Sequence, residues 1–162
     1  LIHAARRNVD VKVICVNNFN YGMTGGQCAP TTPLGAVATT SPYGNPEQPF
    51  NLPYLLAAAG AGYVSRWTSL HVRQLKQDIL HCFARPGFTF IEVLSACPVG
   101  FGKSNNIPDG LEEMQLYRER CVIARGVPLE ELSIDLREDS PIYVGNFVDR
   151  ELPVYKPVTH VG

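Results

Sequence analysis

The chain has 162 residues, 45% hydrophobic and 18% charged, with 14 Gly and 13 Pro, the composition of one ordinary globular domain. Its 14 Lys and Arg against 15 Asp and Glu leave a net charge of -1, which excludes a broad basic footprint for nucleic acid and leaves small molecules or proteins as expected partners. No run approaches the ~18 apolar residues of a membrane span and the first residues lack the order of a signal peptide, so a cytoplasmic protein without a membrane partner is expected.

Taken in chain order, Leu1 to Arg7 reads as the end of a helix, with Arg6 and Arg7 suited to the negative end of its dipole and Asn8 as its stop. Because the chain begins inside that helix, it reads as a piece of something longer. Val11 to Val16 (VKVICV) is short and nearly continuous in apolar character, which predicts a strand buried on both faces of a parallel sheet. Asn17 to Asn51 is crowded with Gly, Pro, Thr and Asn, too broken for regular structure, and loops of that length are usually functional. Leu52 to Ala59 then predicts a helix closed by Gly60, and Tyr63 to Trp67 a strand.

From Ser69 the apolar positions Val72, Leu75, Ile79 and Phe83 recur at helical spacing until Pro86-Gly87. Phe88 to Leu94 (FTFIEVL) follows as a strand. Strands alternating with helices of this length predict an α/β fold, a parallel sheet flanked by helices. Past Cys97 come a polar loop (Gly100 to Asp109), a helix expected to bury Leu111, Met114, Tyr117 and Cys121, and a Pro-punctuated extension packed on the domain or on a partner. Tyr43 to Phe50 fits contact with another chain or with its own domain. The organisation expected is an α/β domain over residues 1–97 and a C-terminal helix and extension over 98–162.

The stretch with most chemical content is Asn17-Asn18-Phe19-Asn20-Tyr21-Gly22-Met23-Thr24-Gly25-Gly26-Gln27, directly after a strand, where open α/β sheets bind ligands. The Asn18 carboxamide and the Asn20 backbone carbonyl are neutral oxygen donors suited to a hard cation such as Mg²⁺ shared with phosphate oxygens. Gly22, Gly25 and Gly26 allow backbone amides to come close to a phosphate. On composition alone an ordinary Asn-Gly turn explains the segment as well. Of the five cysteines, Cys15, Cys82 and Cys121 fall in apolar settings and read as small core residues, and Cys28 reads as filling a small site. Cys97 follows a strand and precedes Pro98, so it is either structural or able to present a thiolate to an iron-sulfur cluster.

Other constellations are weaker. His3, His71, His81 and His160 are scattered; Glu112, Glu113 and Glu119 with Arg118 and Arg120 read as the solvated face of a helix; Arg66 and Lys103 are candidates to meet an anionic substrate. The signatures of common hydrolases, zinc proteases and nucleotide-binding loops are missing from the sequence.

The order strand, Asn-Asn, one residue, backbone-ligand position and Thr-Gly-Gly-Gln resembles the second half of a thiamine diphosphate motif. NNFNYGMTGGQCAPTTPLG with TTSPYGNPEQPF, then AAGAGYVSRW, HVRQL, GFTFIEVLSACP and GNFVDRELP, resembles in the same order the beta subunit of the 2-oxoacid:ferredoxin oxidoreductases, the 2-oxoglutarate type above all. The resemblance implies that Asn18 ligates Mg²⁺ through its side chain and Asn20 through its backbone oxygen. It implies that Tyr21, Gly22, Met23, Thr24, Gly25 and Gly26 line the thiamine diphosphate site, that Asn17 orients the loop, and that Cys97 in SACP is the last ligand of a [4Fe-4S] cluster. The Gly-Asp-Gly that begins such a motif and the other cluster cysteines would precede Leu1.

The activity implied is decarboxylation of a 2-oxoacid to acyl-coenzyme A and carbon dioxide, electrons passing through the cluster to ferredoxin, with an alpha subunit activating the aminopyrimidine. Residues 1–162 alone are expected to be inactive. The alternatives are a pyruvate or branched-chain 2-oxoacid enzyme, a thiamine diphosphate enzyme without ferredoxin, and a non-catalytic remnant or assembly protein of the same fold.

Overall fold

In the computed structural model residues 1–137 and 140–157 are described; His160 and the end of the C-terminal extension lie outside them. Helix α1 (Ile2–Arg7) ends as its sequence requires, at Asn8 with φ 50° and ψ 46°, a left-handed conformation that Asn tolerates better than most residues. The Asn8 side chain then does more than stop a helix. Its Nδ2 donates to the carbonyls of Leu152 and Pro153, both at 3.0 Å, and its Oδ1 accepts from the Phe88 amide at 2.8 Å. One buried carboxamide thereby joins the first helix, the start of a central strand and the C-terminal segment.

Among the described residues seven strands follow: β1 (Lys12–Asn17), β2 (Asn20–Tyr21), β3 (Gln27–Cys28), β4 (Tyr63–Thr68), β5 (Thr89–Leu94), β6 (Cys121–Ile123) and β7 (Ile142–Asp149). Five form one sheet in the order β1-β5-β4-β7-β6, while β2 and β3 make a two-stranded hairpin inside the long loop. The pairs β1/β5, β5/β4 and β6/β7 are parallel and β4/β7 is antiparallel. The expected α/β fold is present, with one antiparallel pairing that the C-terminal segment introduces. That segment, read from its prolines as a packing extension, supplies two strands to the same sheet as residues 1–97; the β-branched and aromatic run IYVGNFVD is the signal for β7.

Alternation along the strands sorts side chains to two faces. Val13 and Cys15 join Phe90, Val64, Ala5 and Leu56 in one apolar cluster, under α1 and α2 (Leu52–Ala58). Tyr63, Trp67, Ile91 and Val93 join the other, under α3 (Val72–Ala84) and Tyr117 of α4 (Gly110–Arg120). Strand β1 departs from its expected burial: Ile14 and Val16 are exposed, because among the described residues only its Val13 and Cys15 face packs on a core.

The two longer helices bury only part of the faces expected. In α3, Leu75 and Ile79 pack inward, but Val72 and Phe83 are exposed and Asp78 is buried. Asp78 accepts from three same-face residues of β4, the Tyr63 hydroxyl, the Ser65 hydroxyl and the Trp67 indole N–H, and that set of donors fixes the helix more firmly than an apolar stripe would. In α4, Leu111 is exposed while Glu113 and Tyr117 are buried, so Glu113 does not belong to the solvated face. Tyr43 and Phe50 are exposed. Among the described residues no helix is long and apolar enough to cross a membrane.

Replacing Asn8 with Ala strands the Phe88 amide and two carbonyls, and about 2–3 kcal/mol of stability should be lost. Urea denaturation checks this; a loss under ~0.5 kcal/mol, the range of neutral surface changes, would mean that water replaces all three contacts.

Candidate functional site

Three neighbouring strands place one residue each in a row across the sheet: Cys15, Glu92 and Arg66 are register partners on β1, β5 and β4. Arg66 and Glu92 are each only 1% exposed. Arg66 Nε donates to Glu92 Oε2 at 2.7 Å and its Nη1 to the Leu132 carbonyl at 2.7 Å. Burial in this pairing removes Arg66 from consideration as a contact for an anionic substrate. Two residues beyond Cys15 on the same face of β1, Asn17 donates through Nδ2 to the other carboxylate oxygen, Glu92 Oε1, at 2.7 Å.

Asn17 Oδ1 faces the loop, accepting from the Phe19 amide at 3.1 Å and the Thr31 hydroxyl at 2.8 Å. Phe19 is thereby held at φ 65°, a costly conformation for a bulky residue. Its carbonyl accepts from the Thr32 hydroxyl at 2.6 Å, and its ring packs on Phe101 with centroids 5.3 Å apart. The chain turns sharply there, so Asn18 and Asn20 both line a cleft of about 260 Å³ with Asn17, Tyr21, Pro30 and Thr31 at the carboxyl end of β1. Lys103 stands outside this cleft, exposed on a short turn.

The glycine turn behaves differently from its expectation. The amides of Gly25 and Gly26 donate to the carbonyls of Gly22 (3.3 Å) and Tyr21 (2.9 Å), so they close the turn. Gly26, at φ 82°, also lets the 97–102 segment approach: a Cβ there would stand 2.8 Å from the Gly100 carbonyl oxygen. Thr24 is tied to Gln27 by two hydrogen bonds of 2.6 Å, hydroxyl to Oε1 and Nε2 to carbonyl. Tyr21 and Met23 project to the surface.

Cys97 comes to the same place from the other side. Its amide donates to the Asn18 carbonyl at 3.4 Å, and its sulfur accepts from the Gly100 amide at 3.2 Å. The Phe101 and Gly102 amides donate to its carbonyl at 2.9 and 2.8 Å, winding residues 97–102 into a tight turn. Glu113 fixes the preceding residue, accepting from the Ala96 amide at 2.7 Å. Burial, with the Glu113 carboxylate second, pushes the nearby Tyr117 hydroxyl well above its ordinary range. Asn105 clamps this turn to the long loop, bonding both the amide and the carbonyl of Val37 at 2.8 and 2.9 Å.

Cys15, Cys82 and Cys121 are held as neutral thiols. Burial pushes the Cys82 and Cys121 thiols up to about 11, and burial with the Glu92 charge raises Cys15; neutral thiols of this kind are poor ligands and nucleophiles. His71 bonds Thr68 Oγ1 at 2.8 Å and His81 stacks on Tyr63 at 5.2 Å, both away from the cleft. A larger hollow of about 590 Å³ lies beside α3, lined by Tyr63, Trp67, Asp78 and Arg125 among others; none of the sequence-predicted site residues lines it, and the donors on Asp78 already satisfy its carboxylate.

The donor set is selective about what it suits. Among the described residues no three His, Cys, Asp or Glu side chains gather to hold a metal, so a cation in the cleft would rest on carboxamide and carbonyl oxygens, which favours a hard ion completed by phosphate oxygens and water. Asn20 is 4% exposed, and its Oδ1 and Nδ2 have no hydrogen-bond partner among the described residues, as expected where a bound group completes the bonding.

Residues 1–93, which include the whole Asn17 to Gly26 loop, match the family described as thiamine pyrophosphate enzyme, C-terminal TPP binding domain. The chain belongs to this family. Cys97 lies just past the matched TPP-binding residues. The chain is similar to 2-oxoglutarate synthase subunit KorB of Methanothermobacter marburgensis, 44% identical over 154 residues covering 94% of this chain and 53% of the relative. It is similar also to 2-oxoglutarate synthase subunit KorB of Methanocaldococcus jannaschii, 42% identical over 162 residues covering 98% and 58%. The TPP-binding fold resembles a solved 2-oxoglutarate:ferredoxin oxidoreductase from Magnetococcus marinus with 2-oxoglutarate, coenzyme A and succinyl-CoA bound, at a TM-score of 0.76 and 24% identity over 95% of this chain and 52% of that one. The chain thus spans about half the length of these relatives.

Arg66→Met leaves the Glu92 carboxylate buried without its counter-ion. A loss of about 3–5 kcal/mol in urea denaturation is expected; a loss below ~1 kcal/mol, as for an exposed pair, would mean that the pair is hydrated in solution.

Proposed function

We propose that this chain is the cofactor-holding part of the beta subunit of a 2-oxoacid:ferredoxin oxidoreductase acting on 2-oxoglutarate, located in the cytoplasm and assembled with an alpha subunit. The observation that carries the reading is a convergence. Asn18 Nδ2, Cys97 Sγ and Asn20 Oδ1 all lie within 3.2–3.5 Å of the one point where a Cβ on Gly22 would stand. Residues suited to a metal-bound diphosphate therefore adjoin a cysteine suited to an iron-sulfur cluster, as an enzyme that oxidises a cofactor-bound fragment through a cluster requires. The names of the relatives, 2-oxoglutarate synthase subunits, support the substrate.

Bound thiamine diphosphate supplies a carbanion nucleophile and an electron sink for a 2-oxoacid. The chain's part is to hold and orient. Asn18 offers its carboxamide oxygen and Asn20 its carbonyl oxygen to Mg²⁺ beside the diphosphate, the charged carboxylate ligand coming from outside residues 1–162. Asn17, braced on Glu92, keeps both donors at the end of β1. Cys97 offers one thiolate to a [4Fe-4S] cluster, with the Gly100 amide hydrogen-bonded to its sulfur, and the other thiolates come from elsewhere. Ferredoxin would take the electrons and coenzyme A the acyl group.

Both roles separate in the full-length chain purified anaerobically with its alpha subunit. Asn18→Ala should weaken Mg²⁺-dependent thiamine diphosphate binding tenfold or more, about 1.4 kcal/mol, with iron content unchanged; binding equal to the parent would point to a non-catalytic remnant. Cys97→Ser should abolish the cluster absorbance and ferredoxin reduction while thiamine diphosphate stays bound; a parent complex without iron would point instead to an enzyme that does not use ferredoxin. Comparing kcat/KM for 2-oxoglutarate, pyruvate and a branched-chain 2-oxoacid tests the substrate.

A further inference from the structure

Helix α3 is apolar on two sides. Leu75, Ile79 and Cys82 pack into the core, while Val72, Leu80 and Phe83 are exposed. At ~3.6 residues per turn, Val72 and Phe83 fall within ~20° of each other with Lys76 and Leu80 beside them, so the exposed apolar side chains share one face. The solvent face of a surface helix is ordinarily polar, and this one is not.

The sheet fixes which way that face looks. On one flank of α3, Asp78 bonds the Tyr63, Ser65 and Trp67 side chains of β4, and Gln74, Gln77 and His81 share the hollow of about 590 Å³ with Asn146 and Asp149 of β7. In the strand order β1-β5-β4-β7-β6, the opposite flank, with Val72 and Phe83, therefore looks toward β1. Strand β1 offers it apolar residues: Ile14 and Val16 are the register partners of Ile91 and Val93, which belong to the core under α3, and register partners point to the same side of a sheet. Ile14, Val16, Val72, Leu80 and Phe83 are between 44% and 67% exposed. Gathered in one trough, they are more than the scattered apolar residues of an ordinary surface.

We propose that an amphipathic helix from the part of the same beta subunit lying outside residues 1–162 fills this trough, with acidic residues set against Arg73 and Lys76. This rests on the reading of the chain as part of a longer beta subunit. The matched relatives are nearly twice as long, this chain covering 53% and 58% of them. The trough adjoins the side of β1 that has no strand among the described residues. One helix-and-strand unit therefore completes both the covered face that a parallel sheet requires and the sheet itself, and consecutive elements are usually neighbours in space. A second copy fits less well: the one carboxylate of α3, Asp78, is buried, while Arg73 and Lys76 are exposed, so two such faces would bring like charges together.

The test is photo-cross-linking in the full-length subunit purified with its alpha subunit, with benzoylphenylalanine in place of Phe83. The dominant product should keep the mass of a single beta subunit, and its peptide map should join position 83 to a segment outside residues 1–162. A link to the alpha subunit, a product of doubled beta-subunit mass or the absence of any link overturns the inference and leaves the longer-subunit reading standing, whereas a mature subunit no longer than 162 residues overturns both. If the substituted subunit fails to assemble, the parent decides. A carbodiimide should couple Lys76 to a carboxylate of the same polypeptide outside residues 1–162, and coupling to another chain or to nothing overturns the inference.

Discussion

A carboxylate and a guanidinium enclosed between adjacent strands are tolerable only while they face each other, and Arg66 and Glu92 meet that condition on β4 and β5. Replacing such a pair with apolar residues is often neutral or stabilising, so stability alone does not explain it. What an apolar pair cannot do is offer a second carboxylate oxygen. Glu92 uses that oxygen to hold Asn17, Asn17 holds Phe19 in its strained turn, and the turn sets Asn18 and Asn20 at the mouth of the cleft. The site inherits its geometry from the interior of the sheet.

The second half of the site is braced independently. Glu113 of α4 grips the Ala96 amide, and Asn105 clamps the 97–102 turn to the long loop. Gly26 and Gly100 then bring two irregular segments into contact that any side chain would prevent. A buried charge network on one side and a pair of glycines on the other thus meet at Cys97, and sites held by rigid neighbours of this kind keep their geometry better than sites on free loops.

The order of the first strands and helices was legible because their apolar runs and terminators agree with the local structure, as at Asn8, Gly60 and the Pro86-Gly87 stop. The loop was legible through Asn17, Asn18 and the glycines. Less legible were the partners. Glu92 in FTFIEVL and Arg66 in YVSRW are charges in the middle of apolar strands, a signal that each needs a counterpart, but sequence separation hides that they share a register. Helix periodicity located α3 and α4 but missed part of their buried faces, because Asp78 and Glu113, polar by type, are buried by hydrogen bonds that no period of apolar residues records. Strand β7 was hidden by the prolines that flank it.

Strand β1 pairs with β5 on one side, and among the described residues its other side has no strand. On that strand Ile14 and Val16 are exposed. Sheet borders of this kind accept any strand that arrives, including one from an identical molecule. Residues 1–162 produced in isolation therefore carry an unpaired strand border immediately beside the 17–26 loop.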